Sequence, residues 1–273
     1  MQRQPRAAPI FALAPSGTQQ RLTPAMKKTA PKFLREHLLP AAAFFAVALG
    51  LSLMGWLDHL ENLTLDKRTQ WRVPYQLPAD ERLAVVGFGQ PSLDHFGAWN
   101  TWHRFFHGRF SELMTTLKPS VVAWDILFVD RYPSEDPDFA KSIKDSGVNV
   151  ILGAMRADHK GEGVSADDEL AKASTLQPLS DVAGDRGKIR SADTALLPSS
   201  ELAQVAKIGF VDTPPSALDG VRRVAPLVVR IGDKIFPTLS LQSLLVHWHI
   251  RSEQVQVLLG DAIILNGETI KRR

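Results

Sequence analysis

One carboxylate and three nearby side chains have the types and positions that could bind a ligand. Asp125 lies inside the apolar run Val121–Phe128, and Asp94, Trp102 and Arg104 lie on the connection that precedes this run. The planar guanidinium of an arginine can donate two parallel hydrogen bonds to a carboxylate or a phosphate. Together these residues could line a pocket for a small polar or anionic ligand, with Arg104 as its principal donor.

A structural function for the same charges is an open alternative. A charge inside a buried run is usually paired, so Asp125 could form an ion pair with Arg104 or Arg222 that stabilises the sheet. Arg222 completes the set of predicted ligand-binding residues. It is followed by Arg223, and because neighbouring strand residues point to opposite faces, only one of these two arginines can reach a given pocket.

No catalytic, metal or cofactor site is predicted. His103 and His107 are four residues apart and could share a metal ion, but no glutamate completes an HExxH pattern. Gly87 and Gly89 lack the third glycine of a dinucleotide loop, and no P-loop, G-x-S-x-G elbow or kinase signature occurs. We therefore predict no enzyme activity in this chain. A membrane-anchored periplasmic hydrolase that uses Asp125 and a ligand-free scaffold stay open as alternatives.

Apolar runs that alternate with amphipathic segments predict a parallel sheet that positions these residues. Strands are predicted over Leu83–Gly89, Val121–Phe128 and Val148–Met155, and helices over Thr101–Leu117 and Asp136–Ser146. The first helix is expected to bury the apolar residues that recur at three- and four-residue steps: Trp102, Phe105, Phe106, Phe110, Leu113 and Leu117. The short connections imply right-handed crossovers, which place the ligand at the carboxyl ends of the strands.

The second half of the chain predicts a change towards antiparallel structure. Residues 158–199 are polar and predict a loop-rich insertion with a short helix around 168–173. Strands over Ala206–Val211 and Val221–Ile231 are followed by a helix over Pro237–Ile250 and a meander over Val255–Ile270, with an Asn-Gly hairpin turn at residues 266 and 267. The predicted fold class is therefore α/β: a mixed, largely parallel α/β sandwich with a C-terminal antiparallel meander. Because the chain ends shortly after that turn, this domain is expected to be incomplete at its C-terminus.

An uncharged stretch at residues 38–57 predicts a transmembrane helix. Twenty helical residues span about 30 Å, the thickness of the hydrocarbon core. Basic residues precede the stretch, while Asp58 and Glu61 follow it, so the N-terminus is expected in the cytoplasm and residues 58–273 outside. A signal peptide cleaved at Ala46–Ala48 is the alternative, but the apolar run continues too far beyond that site.

The positive charge of the chain is concentrated in its leader. Residues 1–37 carry seven basic side chains and one acidic one, a net charge of +6, and because the whole chain has +3, the remaining residues sum to −3. A mildly acidic domain has no general attraction for nucleic acid, so we expect no such partner. Residues 1–25 are expected to be disordered, and Met26 is an alternative start. The chain has no cysteine, which excludes disulfides.

Several motifs in these elements together resemble a known family. They are Leu65–Arg68, Ser92-Leu93 after the first predicted strand, Trp102-x-Arg104, Trp124–Phe128, Ile208–Asp212, Asp219–Leu227 and Phe236–Ser240. From Glu61 to the C-terminus the chain resembles the second type of CHASE domain, the cyclase- and histidine-kinase-associated sensory extracellular domains of bacteria. One departure is Gly89, where relatives usually have an aspartate at the end of the first strand. This leaves Asp125 without its companion carboxylate.

The resemblance implies a sensory function. Members of the family carry this outer domain after one N-terminal helix, then three further transmembrane helices and a cytoplasmic output domain. That output is most often an adenylate or guanylate cyclase, otherwise a serine/threonine or histidine kinase. The chain is accordingly expected to be the periplasmic, ligand-sensing part of a receptor in the bacterial inner membrane. It is expected to form a homodimer and to bind an unidentified small molecule.

Overall fold

The structure, a computed structural model, describes residues 34–73, 80–157, 163–165, 167–213, 215 and 219–271. The chain divides into two compact units, Met1–Leu83 and Ala84–Arg273. We describe each unit by itself. The predicted disorder of residues 1–25 lies outside the described residues.

The first unit contains two consecutive helices. A π-helical turn over Leu34–Leu38 leads into helix α1 (Leu39–Leu53), and α2 follows over Trp56–Arg72. The stretch Glu36–Leu53 is long and apolar enough to cross a membrane, and none of it is buried within the protein. The predicted membrane segment therefore contains a candidate spanning helix. Helix α1 ends at Leu53, before the predicted end at Leu57. Gly55 adopts a left-handed conformation (φ 75°) that separates α1 from α2.

The second unit is built on three parallel strands. Strand β1 (Val121–Leu127) pairs with β2 (Asn149–Arg156), which also pairs with β7 (Lys207–Phe210), and Leu152 lies opposite both Trp124 and Ile208. Helix α5 (Asp136–Ser146) forms the crossover from β1 to β2. The side chains of β2 are buried over most of its length, as expected for a central parallel strand that is covered on both faces.

Helices cover the two faces of this sheet. Helix α4 (Arg104–Leu117), which follows the short helix α3 (Gln90–Phe96), packs with α5 over a core that includes Trp124, Phe128 and Phe139. The short helix α7 spans Ser200–Ala203, and helix α8 (Leu239–His247) contacts β1, β2 and β7. At Gly209 a side chain would lie 2.7 Å from the Cα of Leu239, so only glycine permits this approach of α8 to the sheet.

The remaining strands form smaller sheets around this core. Strand β6 (Thr194–Leu196) pairs antiparallel with β2, and β3 (Val164–Ser165) pairs antiparallel with β6, so both extend the central sheet. Strand β5 (Ser191–Ala192) joins the hairpin of β8 (Val228–Ile231) and β9 (Lys234–Pro237). Strand β4 (Asp181–Ala183) pairs with the meander of β10 (Val255–Leu258), β11 (Ala262–Leu265) and β12 (Glu268–Lys271). The predicted mixed α/β fold and antiparallel C-terminal meander are confirmed.

The insertion at residues 158–199 is more regular than predicted. The short helix expected near residues 168–173 is present as α6 (Glu169–Ala173). The short strands β3 to β6 were not predicted, and they join three different sheets. Strands this short have too few residues for a period-2 pattern to be recognised. Residues 158–162 and 166 lie outside the part of the chain that the structure describes.

Two predictions about the first part of this unit are wrong. The segment Leu83–Gly89 is not a buried strand: it is assigned to no strand, and Val85 is 96% exposed. Helix α4 does not bury the predicted apolar face. Its buried residues are instead Arg104, His107, Gly108, Ser111 and Met114, while Phe105, Leu113 and Leu117 are exposed.

Candidate functional site

Arg104 and Asp136 form a buried ion pair just beyond the carboxyl end of β1. Arg104 is the first residue of α4, Asp136 is the first residue of α5, and the Arg104 Nε atom donates to Asp136 Oδ1 at 3.0 Å. The side chain of Asp136 is fully buried, and its second oxygen accepts the backbone N–H of Tyr132 at 2.9 Å. This pair fixes the N-terminal ends of both helices beside the loop that leaves β1.

The guanidinium of Arg104 is held in one orientation but keeps donors available. Its Nη2 donates to the carbonyl of Asp130 at 2.8 Å, and its Cζ lies 4.8 Å from the ring centroid of Phe128 and 4.7 Å from that of Tyr132. A guanidinium has five N–H groups. Within the described residues, two of them are hydrogen-bonded and three have no partner, so the fixed cation can still bind an acceptor.

A cleft of about 300 Å³ opens at this arginine. It is lined by Thr101, Trp102, His103, Arg104, Tyr132 and Glu135. A second cleft, of about 160 Å³, lies beside it and shares Arg104 and Glu135. The larger volume is close to the lower bound for small-molecule sites in proteins, roughly 300 Å³. The cleft combines a cation, a carboxylate, an imidazole and two aromatic side chains.

Glu135 and His103 form a hydrogen-bonded pair at the rim of the cleft. The Nδ1 atom of His103 lies 2.8 Å from Glu135 Oε1, and the other carboxylate oxygen accepts the backbone N–H of Arg104 at 2.7 Å. These hydrogen bonds, that from His103 first, lower the pKa of Glu135 below its ordinary value. Glu135 is therefore an anion at neutral pH.

His107 lies in the aromatic core and not in the cleft. It is 3% exposed, and its ring contacts Trp124, Phe128 and Phe139 with centroid distances of 5.5, 5.0 and 5.9 Å. Burial, assisted by the charge of Arg104, lowers its pKa from 6.5 to about 4. The imidazole is therefore neutral at pH 7. His103 is exposed and bonded to Glu135, so the structure does not bring the two histidines together as ligands of one metal.

The structure brings together two of the five residues predicted to bind a ligand. Trp102 and Arg104 line the same cleft. The other three do not line it: Asp94 accepts a hydrogen bond from Gln90 at 2.7 Å, Arg222 donates to the carbonyl of Thr213 at 2.6 Å, and Asp125 is exposed on β1. The ion pair considered for Asp125 is not formed, because Arg104 pairs with Asp136 and Arg222 with a backbone carbonyl.

The acidic residues of the site were missed at the sequence level. Glu135 and Asp136 are separated from Arg104 by more than thirty positions, so no local pattern connects them. One signal was available, since Asp136-Pro137 begins a predicted helix and acidic residues favour a helix N-terminus. A second buried ion pair was also missed: Nε of Arg156, the last residue of β2, lies 3.0 Å from Oδ1 of Asp212, which follows β7.

The fold and the cleft together describe a candidate ligand-binding domain. A mixed α/β unit carries a polar cleft of ligand size beyond a parallel strand, in a chain with a candidate membrane helix. No cluster of three or more histidine and acidic side chains that could hold a metal occurs in the parts described.

The comparison with protein families agrees with this description. The sequence model of the CHASE2 domain matches residues 42–271, and the chain belongs to this family. No match was found among curated proteins or among solved structures. CHASE2 is an extracytoplasmic sensory domain and not a catalytic one. The resemblance identified from the sequence motifs is thereby confirmed.

Proposed function

We propose that this chain is the periplasmic ligand-binding part of a bacterial transmembrane receptor and that its ligand binds in the cleft at Arg104. The observation that carries the proposal is the fixed guanidinium of Arg104, which has three N–H groups without partners in the described structure, in a residue that lines a cleft of about 300 Å³. Membership of the CHASE2 family, whose domains are sensory, supports the same function.

The charges around the cleft favour a polar ligand that offers both donors and acceptors. Arg104 is balanced by Asp136, and His103 contacts Glu135, so the cleft carries no large excess of positive charge. A strongly anionic ligand would be repelled by the carboxylate of Glu135, which lines the cleft. A small zwitterionic or neutral polar molecule can accept from Arg104, donate to Glu135 and pack its apolar part on Trp102 or Tyr132.

The receptor is proposed to lie in the inner membrane with its N-terminus in the cytoplasm. The candidate spanning helix follows a leader with seven basic side chains, and acidic residues follow the helix. We propose that the signal acts on a cytoplasmic output domain outside this chain, an adenylate or guanylate cyclase or otherwise a protein kinase. We also propose a homodimer, which light scattering of the detergent-purified chain would test.

A ligand screen with matched variants tests the cleft. The purified full-length chain in detergent would be screened by thermal shift against amino acids, sugars and other small polar metabolites. A ligand at one hundred times its Kd stabilises a protein by about 2.7 kcal/mol, which is well within detection. We expect Tyr132→Ala, which removes the aromatic surface, and Glu135→Gln, which removes the negative charge, to weaken or abolish the shift. Asp94→Asn, on an exposed residue that does not line the cleft, is the control and should leave it unchanged.

The outcomes of the screen separate the candidate functions. A hit that is lost in the cleft variants and kept in the control supports sensing at Arg104. A hit unaffected by Tyr132→Ala and Glu135→Gln would place binding elsewhere and contradict the proposed site. The absence of any hit from a broad library would favour a ligand-free scaffold.

A further inference from the structure

Helix α2 of the first unit carries a continuous and exposed apolar face. At about 100° per residue, this face covers roughly 120° of the helix circumference. It consists of five large side chains that are between 38% and 71% exposed: Trp56, Leu57, Leu60, Leu63 and Trp71. An apolar face of this width is typical of a helix that packs against an apolar surface.

The charged residues of α2 lie outside this face, with one exception. The five outside it are Asp58, Glu61, Asp66, Arg68 and Arg72. The exception is Lys67, which lies in the middle of the apolar face and whose Nζ atom donates to Gln70 Oε1 at 3.2 Å. Gln70 lies at the border of the face, so this hydrogen bond directs the ammonium group towards that border. Leu65 is the one leucine of α2 on the opposite side.

The position of α2 in the chain indicates what this face contacts. With the candidate spanning stretch Glu36–Leu53 in the membrane, α2 begins three residues later, at the outer surface of the bilayer. A left-handed residue does not continue a right-handed helix, so the chain changes direction at Gly55. Trp56 and Trp71 stand at the two ends of the same face, roughly 22 Å apart along the axis. Tryptophan is enriched where lipid meets water.

We propose that α2 lies along the outer surface of the bilayer with its apolar face in the lipid. Immersion by about 5–10 Å buries the leucines of the face and leaves the charged side in water. The aliphatic stem of Lys67 then packs on the apolar surface, while its ammonium group reaches the lipid phosphates. The inference rests on the proposed membrane topology, but it is independent of the ligand cleft.

A second copy of the chain fits this face less well than lipid does. The seam of a two-stranded coiled coil needs apolar residues at alternating steps of three and four. A seam through Leu60 and Leu63 would continue at Lys67 and Gln70. In a symmetric pair the two copies of Lys67 would meet at the seam, where their charges repel each other. The phosphates of a bilayer instead attract the ammonium group.

Spin labels on single cysteines test the proposal, since the natural chain has no cysteine. The full chain would be reconstituted in vesicles of phosphatidylethanolamine and phosphatidylglycerol, with the label on Leu63→Cys or, as the matched control, on Leu65→Cys. Both variants replace an exposed leucine, 51% and 40% exposed, on opposite sides of α2. Accessibility to oxygen, which concentrates in lipid, and to a water-soluble nickel chelate gives the depth of each label.

The expected result is a difference in depth between the two labels. The label on Leu63→Cys should lie about 5–10 Å below the phosphates. The label on Leu65→Cys should lie on the water side, about 10 Å away, since this is the diameter of a helix with its side chains. Equal access of the nickel chelate to both labels would place the whole helix in water and contradict the proposal.

Shielding of the label on Leu63→Cys from both reagents would also contradict the proposal, because it would show a protein partner. Spin–spin broadening would then identify a second copy, and its absence would identify contact within one copy. A third label on Val47→Cys, at a 61% exposed position of α1, tests the topology separately. If that label lies in lipid and the label on Leu63→Cys does not, only the position of α2 is refuted. Access of the nickel chelate to Val47→Cys would refute the membrane span as well.

Discussion

His107 should make the stability of the sensory unit depend on pH. Its pKa is lowered from 6.5 to about 4 because the ring is buried among aromatic side chains and Arg104 lies nearby. Between these two pH values the unfolded chain binds a proton that the folded protein excludes. Stability is therefore complete above about pH 6.5 and falls as the pH decreases towards 4. At about 1.36 kcal/mol for each pH unit, the total loss is about 3 kcal/mol.

Urea unfolding of the full chain in detergent, followed by tryptophan fluorescence between pH 7.5 and 4, measures this loss. The carboxylates with lowered pKa, such as Glu135 and Glu201, also destabilise the protein as the pH falls. Their effect is common to the wild type and to His107→Phe, an apolar aromatic replacement. The difference in the free energy of unfolding between the two proteins therefore isolates the contribution of His107. The free energy of unfolding of His107→Phe minus that of the wild type should increase by about 3 kcal/mol as the pH decreases from 6.5 to 4.

The exposed His247 provides the control for this measurement. Its Nδ1 atom lies 2.9 Å from Ser120 Oγ at the surface, and His247→Gln therefore measures the effect of replacing a histidine outside the aromatic core. Parallel stability curves for the wild type and His107→Phe over this pH range would show that His107 titrates normally in the folded protein. That result would refute the inference that burial keeps the ring neutral.

Three further predictions concern the ion pair, the sheet and the membrane topology. Asp136→Asn leaves the buried cation of Arg104 without its counter-ion and should lower the free energy of unfolding by about 3–5 kcal/mol, whereas Asp94→Asn should change it little. Gly209→Ala places a Cβ 2.7 Å from Leu239 Cα and should cost about 1–3 kcal/mol in the same urea assay. Alkaline phosphatase, which is active only after export, should be active when fused behind Arg273; activity of a cytoplasmic reporter alone would contradict the proposed topology.

The parallel core was predictable because its local patterns are strong. The strands β1 and β2 and the helix between them follow the predicted runs closely, and the Asn-Gly turn at Asn266 and Gly267 has the two positive φ angles, 49° and 88°, of its hairpin type. Such signals depend on residues that are close in the sequence. The short strands of the insertion depend on distant partners, so their sequence contains little that identifies them.

The face of α4 that is buried could not be predicted from hydrophobicity. The helix carries aromatic or aliphatic residues on more than one side, and the side that packs on α5 includes Arg104, His107 and Ser111. An arginine can be buried there because Asp136, thirty-two positions later, neutralises it. A small residue, Gly108, lets the two helices approach closely. The spacing of apolar residues along the helix indicates neither the distant counter-ion nor the close approach of the two helices.

Asp125 shows why an apolar stretch of sequence does not guarantee that a charged residue within it is buried. The apolar sequence around it is typical of a strand covered on both faces, where a carboxylate would need a partner. In the structure β1 is the edge strand, and Asp125 is exposed with no ion pair among the described residues. A solvated carboxylate requires no counter-ion, which leaves Arg104 available for Asp136 and for the cleft. The position of a strand within its sheet therefore decides whether its charged residue is solvated or needs a buried partner.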